Sequence, residues 1–134
     1  MREWWGDPQP DDLESPDDGD LLAIDVDGAV AGAIQYDEVT DPQYRSAGID
    51  LFLGEAWQGR GLGREAVGVL VRHLIEHRGH HRLTIDPAAD NARAIRTYEK
   101  VGFRKVGVMR QYERGVQRTF HDGLLMDMLR GELR

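Results

Sequence analysis

Three glycines at alternate positions, in Gln58-Gly59-Arg60-Gly61-Leu62-Gly63-Arg64, stand between an apolar alternating segment and a helical repeat. That placement commits this part of the chain to a strand, a tight loop and a helix. In residues 47–53 the alternation puts Ile49, Leu51 and Leu53 on one face of a strand and Asp50 and Phe52 on the other. Downstream, Leu62, Ala66, Val67, Leu70, Val71 and Leu74 recur at the spacing of one buried stripe. A helix is therefore expected over residues 61–77, ended by Gly79. Glycine costs a helix about 1 kcal/mol relative to alanine. Three of them at a helix start suggest a ligand approaching the backbone.

The remaining elements follow from the same rules. Residues 21–26 and 29–36 are apolar runs around Asp27-Gly28, a hairpin signal because both turn residues tolerate positive φ. Residues 37–46 read as a polar loop. Residues 82–86 form a strand stopped by Pro87. Asp90 or Asn91 caps a second helix that runs to Val101, with Gly102 after it. Residues 103–112 and 116–128 read as two strands around Arg114-Gly115, and Met126 and Met128 share a face as core filling. The expected fold is α/β: a single mixed, mostly antiparallel sheet flanked by helices. Its length of 134 residues fits one core. An acidic, Pro-rich tail over residues 1–20 precedes a folded domain over residues 21–134.

A helix N-terminus presents unpaired N–H groups and the positive end of the helix dipole. Gly59, Gly61 and Gly63 let a phosphate approach that backbone, and Arg60 and Arg64 add charge beside it. Several phosphate ligands fit this description. A Walker-type loop needs a Gly-Lys pair, which the chain lacks, and the dinucleotide fingerprint GxGxxG differs from the GxGxG spacing here. The remaining pattern, Q/R-x-x-G-x-G/A after a strand, resembles the acetyl-CoA loop of the GNAT superfamily of N-acetyltransferases. A second segment, Asp90-Asn91-Ala92-Arg93-Ala94-Ile95-Arg96-Thr97-Tyr98-Glu99-Lys100-Val101-Gly102-Phe103, is similar to that superfamily's N-x-x-A-x-x-x-Y-x-x-x-G-F motif. Within the superfamily, Trp4-Trp5-Gly6, Gly48-Ile49-Asp50, Thr84-Ile85-Asp86-Pro87 and residues 94–100 resemble aminoglycoside 6′-N-acetyltransferases.

The resemblance implies a site and a mechanism. Acetyl-CoA is the cosubstrate, and an amine attacks its thioester directly. Asp50 matches the family's strand acid, as general base or as ammonium anchor; the plainer alternative is an exposed strand face. Tyr98 matches the tyrosine that protonates the departing thiolate; the plainer alternative is helix packing with Ile95 and Val101. Cofactor binding falls to Phe52 and Leu53 through their backbones, to Gln58, Gly59, Arg60, Gly61, Leu62, Gly63 and Arg64, and to Asn91, which also suits a helix cap. Asp37, Glu38 and Asp86 are the expected acceptor-binding carboxylates. Family members usually carry a strand and one or two helices before the first hairpin, and the first strand is expected to be missing here. Three explanations stay open: the sequence starts late, the fold tolerates the loss, or a partner chain covers the exposed sheet edge, as in a homodimer.

Charge and composition narrow the partners. Residues 1–50 hold 14 acidic and 2 basic residues, and residues 51–134 hold 10 and 15. That division suits a cationic acceptor on one side and an anionic cofactor on the other, although a solvated acidic tail explains it equally. Charge does not separate an aminoglycoside from a polyamine or a protein N-terminus. A non-catalytic CoA-binding module is the competing class. Nucleic acid is not expected, because no dense Lys/Arg stripe with interleaved aromatics occurs. No apolar run is long enough for a membrane helix and no signal-peptide core opens the chain, so a cytoplasmic location is the default. The chain has no cysteine, which removes thiolate chemistry. His73-Leu74-Ile75-Glu76-His77 matches the short HxxEH zinc pattern, but a solvated histidine-rich helix end suffices, and no metal is expected.

Overall fold

The computed structural model describes residues 19–115 and 117–134. Six strands, β1 (Gly19–Val26), β2 (Ala29–Val39), β3 (Ser46–Leu53), β4 (Arg82–Ile85), β5 (Arg104–Arg114) and β6 (Phe120–Leu129), form one sheet in the order β1-β2-β3-β4-β6-β5. Two helices, α1 (Leu62–Glu76) and α2 (Ala92–Val101), join them, with short 3-10 turns at Glu55–Trp57 and Arg130–Glu132. Every neighbouring pair is antiparallel except β3 and β4, and α1 is the crossover that this parallel pair requires. The expected mixed, mostly antiparallel sheet is the observed one. The expectation of a missing first strand, and nearly all of the expected tail, lies outside the described residues; Gly19 and Asp20 already belong to β1.

Local chemistry explains the elements. Asp27 and Gly28 have φ of 51° and 88°, the pair of positive values of a tight hairpin turn, and Asp25 Oδ1 accepts the Gly28 N–H at 2.8 Å. Ile34, Tyr36, Ala47, Ile49, Leu83, Ile85, Met126 and Met128 share one sheet face. There they pack in a single cluster with Val67, Leu70, Val71 and Leu74 of α1 and Ile95, Tyr98 and Val101 of α2. The opposite face is polar, carrying Gln35, Asp37, Asp50, Thr84 and the Arg82–Asp127 ion pair at 3.1 Å. Among the described residues no helix is long and apolar enough to cross a membrane.

The structure corrects one loop. Asp37 and Glu38 are in β2 rather than in the polar loop, because the ladder with β3 continues to the Val39–Ser46 pair. The continuation is possible because Glu38, which faces the core side, is neutralised. Its Oε1 meets Arg78 Nη2 at 2.5 Å and its Oε2 meets His80 Nε2 at 2.5 Å. Without those partners an ionised carboxylate there would be prohibitively costly.

Candidate active site

The site begins where two parallel strands part. β3 and β4 pair at Ala47–Leu83, Gly48–Thr84 and Ile49–Ile85, and the ladder stops there. Pro87 cannot donate to a sheet, and the segment after β4 turns to β6 instead. Leu124 N–H donates to Pro87 O at 2.8 Å, Ala89 N–H donates to Asp122 O at 2.9 Å, and Ala88 bridges Gly123. A fork opens between residues 50–53 on one side and residues 86–89 on the other. Asp50 stands on the first arm and Asp86 on the second.

The glycine segment closes the end of this fork. Gly59 and Gly61 have φ of 77° and 79°, and Gly61 is the N-cap of α1 with no side-chain hydrogen bond. The first helical bond runs from Glu65 N–H to Gly61 O at 3.1 Å, so the amides of residues 62–64 have no acceptor within the helix. Gly63 has a different task. A Cβ there would lie 3.3 Å from Leu51 Cδ2 and 3.6 Å from Leu53 Cδ1, so the missing side chain lets α1 settle against the end of β3. Gln58 Nε2 donates to Leu53 O at 3.1 Å and ties the loop to the strand. The Arg60 guanidinium lies 5.1 Å from the centre of the Trp57 ring, which holds its charge near the loop.

Three acids and two tyrosines set the electrostatics of the fork. Burial, then the Asp86 charge, then Glu113, push the Asp50 carboxyl up to about 6. Burial also raises Asp86, against a lowering hydrogen bond from the Tyr112 hydroxyl, which donates to Asp86 Oδ2 at 3.0 Å. Burial, reinforced by Asp50 and Asp86, pushes the Tyr98 hydroxyl to about 12. Tyr98 thus remains a proton donor over any ordinary pH, while Asp50 is ionised at neutral pH and basic enough to take a proton. Among the described residues no Lys, Arg or His forms an ion pair with Asp50 or Asp86.

Known proteins match this chain. The model of the acetyltransferase (GNAT) family matches residues 1–103. The chain belongs to the GNAT acetyltransferase family. An aminoglycoside N(6′)-acetyltransferase type 1 of Klebsiella pneumoniae is 43% identical over 75 residues, covering 55% of this chain and 36% of that protein. The spermine/spermidine N(1)-acetyltransferase of Bacillus subtilis is 32% identical over 88 residues, covering 65% of this chain and 55% of that protein. Among solved structures, Mycobacterium smegmatis RimJ in complex with CoA-disulfide superposes with a TM-score of 0.79 at 25% identity, covering 87% of this chain and 55% of that one. The chain thus spans about a third to a half of the length of these relatives.

Most of the residues expected from the GNAT resemblance converge. Asp50, Asp86 and Tyr98 interact electrostatically, and Asp37 is near enough to raise Asp50 further. Gln58 through Arg64 form the loop and first turn of α1, and Phe52 and Leu53 end β3 beside them. Asn91 caps α2, its Oδ1 accepting the Ala94 N–H at 3.1 Å. Tyr98 also packs, meeting the Phe103 ring edge-on at 6.4 Å, so its helix-packing role is fulfilled as well. Glu38 is not brought into the group: its side chain is 2% exposed and both oxygens are held by Arg78 and His80. His73 and His77 place their rings 5.3 Å apart, and no group of three metal-binding side chains converges among the described residues.

Sequence reasoning missed Tyr112 and Glu113. Strand β5 reads as a regular run, but its pairing with β6 slips between Met109 and Glu113, and Gln111 adopts φ 49°. The slip turns Tyr112 onto the acidic fork. A usable signal was present in the break of alternation after Val108, where Arg110, Gln111 and Tyr112 follow.

Proposed function

We propose that this chain transfers the acetyl group of acetyl-CoA directly to a primary amine of a cationic acceptor. The observation that carries this reading is the fork itself. Asp50, which is ionised at neutral pH, and Tyr98, which is protonated, interact across it, beside Asp86, and among the described residues no Lys, Arg or His forms an ion pair with Asp50 or Asp86. The pantetheine arm of CoA would run between the parted strands, along Phe52 and Leu53 and past Asn91. Its pyrophosphate would rest on the amides and glycines of residues 58–64, with Arg60 and Arg64 beside it.

In this scheme the acceptor enters as an ammonium ion, held by Asp86 and Asp37. Asp50 takes one proton and frees the nitrogen lone pair. The amine attacks the thioester carbonyl: the C–N bond forms, the C–S bond breaks, and Tyr98 gives its proton to the departing sulfur. The acetylated nitrogen sheds its remaining extra proton and Tyr98 is reprotonated, both through solvent in the cleft. The net products are amide, free thiol and one proton.

The aminoglycoside relative favours an amino sugar as acceptor and the spermine/spermidine relative a linear polyamine. A protein or peptide amine is the third candidate, since charge alone does not separate it from the other two. The test is a panel of aminoglycosides, polyamines and peptides, each incubated with acetyl-CoA and read by thiol release and product mass. Acetylation of one class assigns the acceptor. CoA binding without a product from any amine would favour a non-catalytic CoA-binding module. We place the protein in the cytoplasm on the same reading, where acetyl-CoA is available, and propose that the edge of β1, which no other described strand pairs, supports a homodimer, testable by light scattering.

A further inference from the structure

The hydrogen bond from Tyr112 to Asp86 crosses from one sheet edge to the fork, and an unusual amount of backbone is arranged around it. The β5–β6 pairs Met109–Gly123 and Glu113–His121 enclose three residues on β5 and one on β6. The excess is taken up at Gln111, whose positive φ is latched by its N–H donating to Asp122 Oδ1 at 2.8 Å. The neighbouring position is glycine. A Cβ on Gly123 would meet Tyr112 Cδ2 at 3.0 Å, so the bare backbone there lets the ring lie on β6. The same stretch of β6 fixes Asp86 from below, because Asp122 O and Leu124 N–H hold Ala89 and Pro87. One short segment, residues 122–124, thus positions both partners of the bond.

We propose that Tyr112 is a positioning residue for acceptor binding: its hydroxyl fixes the orientation of the Asp86 carboxylate. The proposal rests on the reading of Asp86 as an acceptor-side carboxylate. The groups facing Asp86 are Tyr112 from β5, Asp50 from β3 and Tyr98 from α2; Glu113 of β5 acts on Asp50 and Tyr112, and Asp122 of β6 is engaged by Gln111. Asp50 and Glu113 are acids and Tyr98 and Tyr112 are phenols, and the Tyr112 hydroxyl, which donates to Asp86, offsets the crowding of negative charge. It lowers the Asp86 pKa while burial raises it. Without it, Asp86 should hold its proton to higher pH.

The experiment compares wild type, Tyr112→Phe and Gly123→Ala. The Asp86 carboxyl is titrated by ¹³C NMR in the CoA-free protein, and kinetics are measured with whichever amine the wild type acetylates. In Tyr112→Phe the Asp86 midpoint should rise. The acceptor KM should rise by about tenfold, as expected for a lost hydrogen bond to a charged group. That increase should grow as pH falls, with kcat and the KM for acetyl-CoA nearly unchanged. Gly123→Ala should shift both quantities in the same direction with the hydroxyl still present. An Asp86 midpoint that stays put in both variants, with far-UV circular dichroism showing native folds, overturns the role of Tyr112. A midpoint that rises while wild type acetylates no amine leaves the hold on Asp86 standing and removes the acetylation reading instead.

Discussion

Glu38 and Asp50 lie on adjacent strands, on opposite faces of the same sheet, and meet opposite fates. Glu38 is sealed between Arg78 and His80, and the Arg78 hydrogen bonds hold its carboxyl below the usual carboxylate range. Asp50 faces Asp86, Glu113 and Asp37, and its carboxyl is pushed up to about 6. The first carboxylate is satisfied by the Arg78 guanidinium and the His80 ring. Asp50 and Asp86 carry negative charge that no ion pair among the described residues balances, and an ammonium ligand would balance it. Charge alone did not separate these cases in the sequence, where Glu38 reads as a loop acid and Asp50 as a strand acid, both on the site. What separates them is the face each points to.

The comparison can be broken most sharply by Asp50→Asn. Turnover should fall by about 10²–10⁴-fold, the usual contribution of a general base, while CoA affinity measured by calorimetry stays within about twofold. Unchanged turnover would take Asp50 out of the mechanism. The same substitution should stabilise the fold at neutral pH. A carboxyl raised from 3.8 to about 6 in the folded state opposes folding once ionised. The penalty is absent below pH 4, grows between about 4 and 6, and persists above. After allowance for solvent screening it is on the order of 1 kcal/mol, readable as a higher denaturant midpoint at pH 7 and none at pH 3.5.

Glu38→Ala should do the reverse. Removing it strands the fully buried His80 and the Arg78 charge, at a cost of about 2–4 kcal/mol in urea unfolding. The stability that Glu38 contributes is present above the unfolded carboxylate pKa and is lost as pH falls through its depressed folded value, so the difference between variant and wild type should narrow in acid. A variant as stable as wild type at pH 7 would show that the triad does not hold β2 to the segment after α1. Smaller still is the effect of Asn91→Ala, which removes the cap of α2 and should cost about 1 kcal/mol. A loss of CoA affinity beyond that destabilisation would mark Asn91 as a cofactor contact too.

Much of this architecture was legible in the chain. Asp27-Gly28 announced the hairpin through its backbone preference, and the Leu62-to-Leu74 stripe announced α1, because local sterics and periodicity act over a few residues. The fork was legible only through resemblance: nothing in residues 82–89 alone says that Pro87 and Ala89 will bond to β6. Glu38 was misplaced because its partners, Arg78 and His80, lie about 40 residues away and meet it only after the sheet forms. Tyr112 was missed for a related reason. The slip in β5 depends on Gly123 and Asp122 in the next strand, and a strand's own residues do not reveal its register.

The most direct test of the central claim, that the Asp50 side of the sheet is charged in readiness for an ammonium ligand, is the titration of the Asp50 carboxyl by ¹³C NMR with and without a saturating cationic amine. The midpoint should lie near 6 in the free protein, fall in Asp86→Asn, and fall further when the amine binds. A midpoint near 4 that neither the substitution nor any amine displaces would contradict the account.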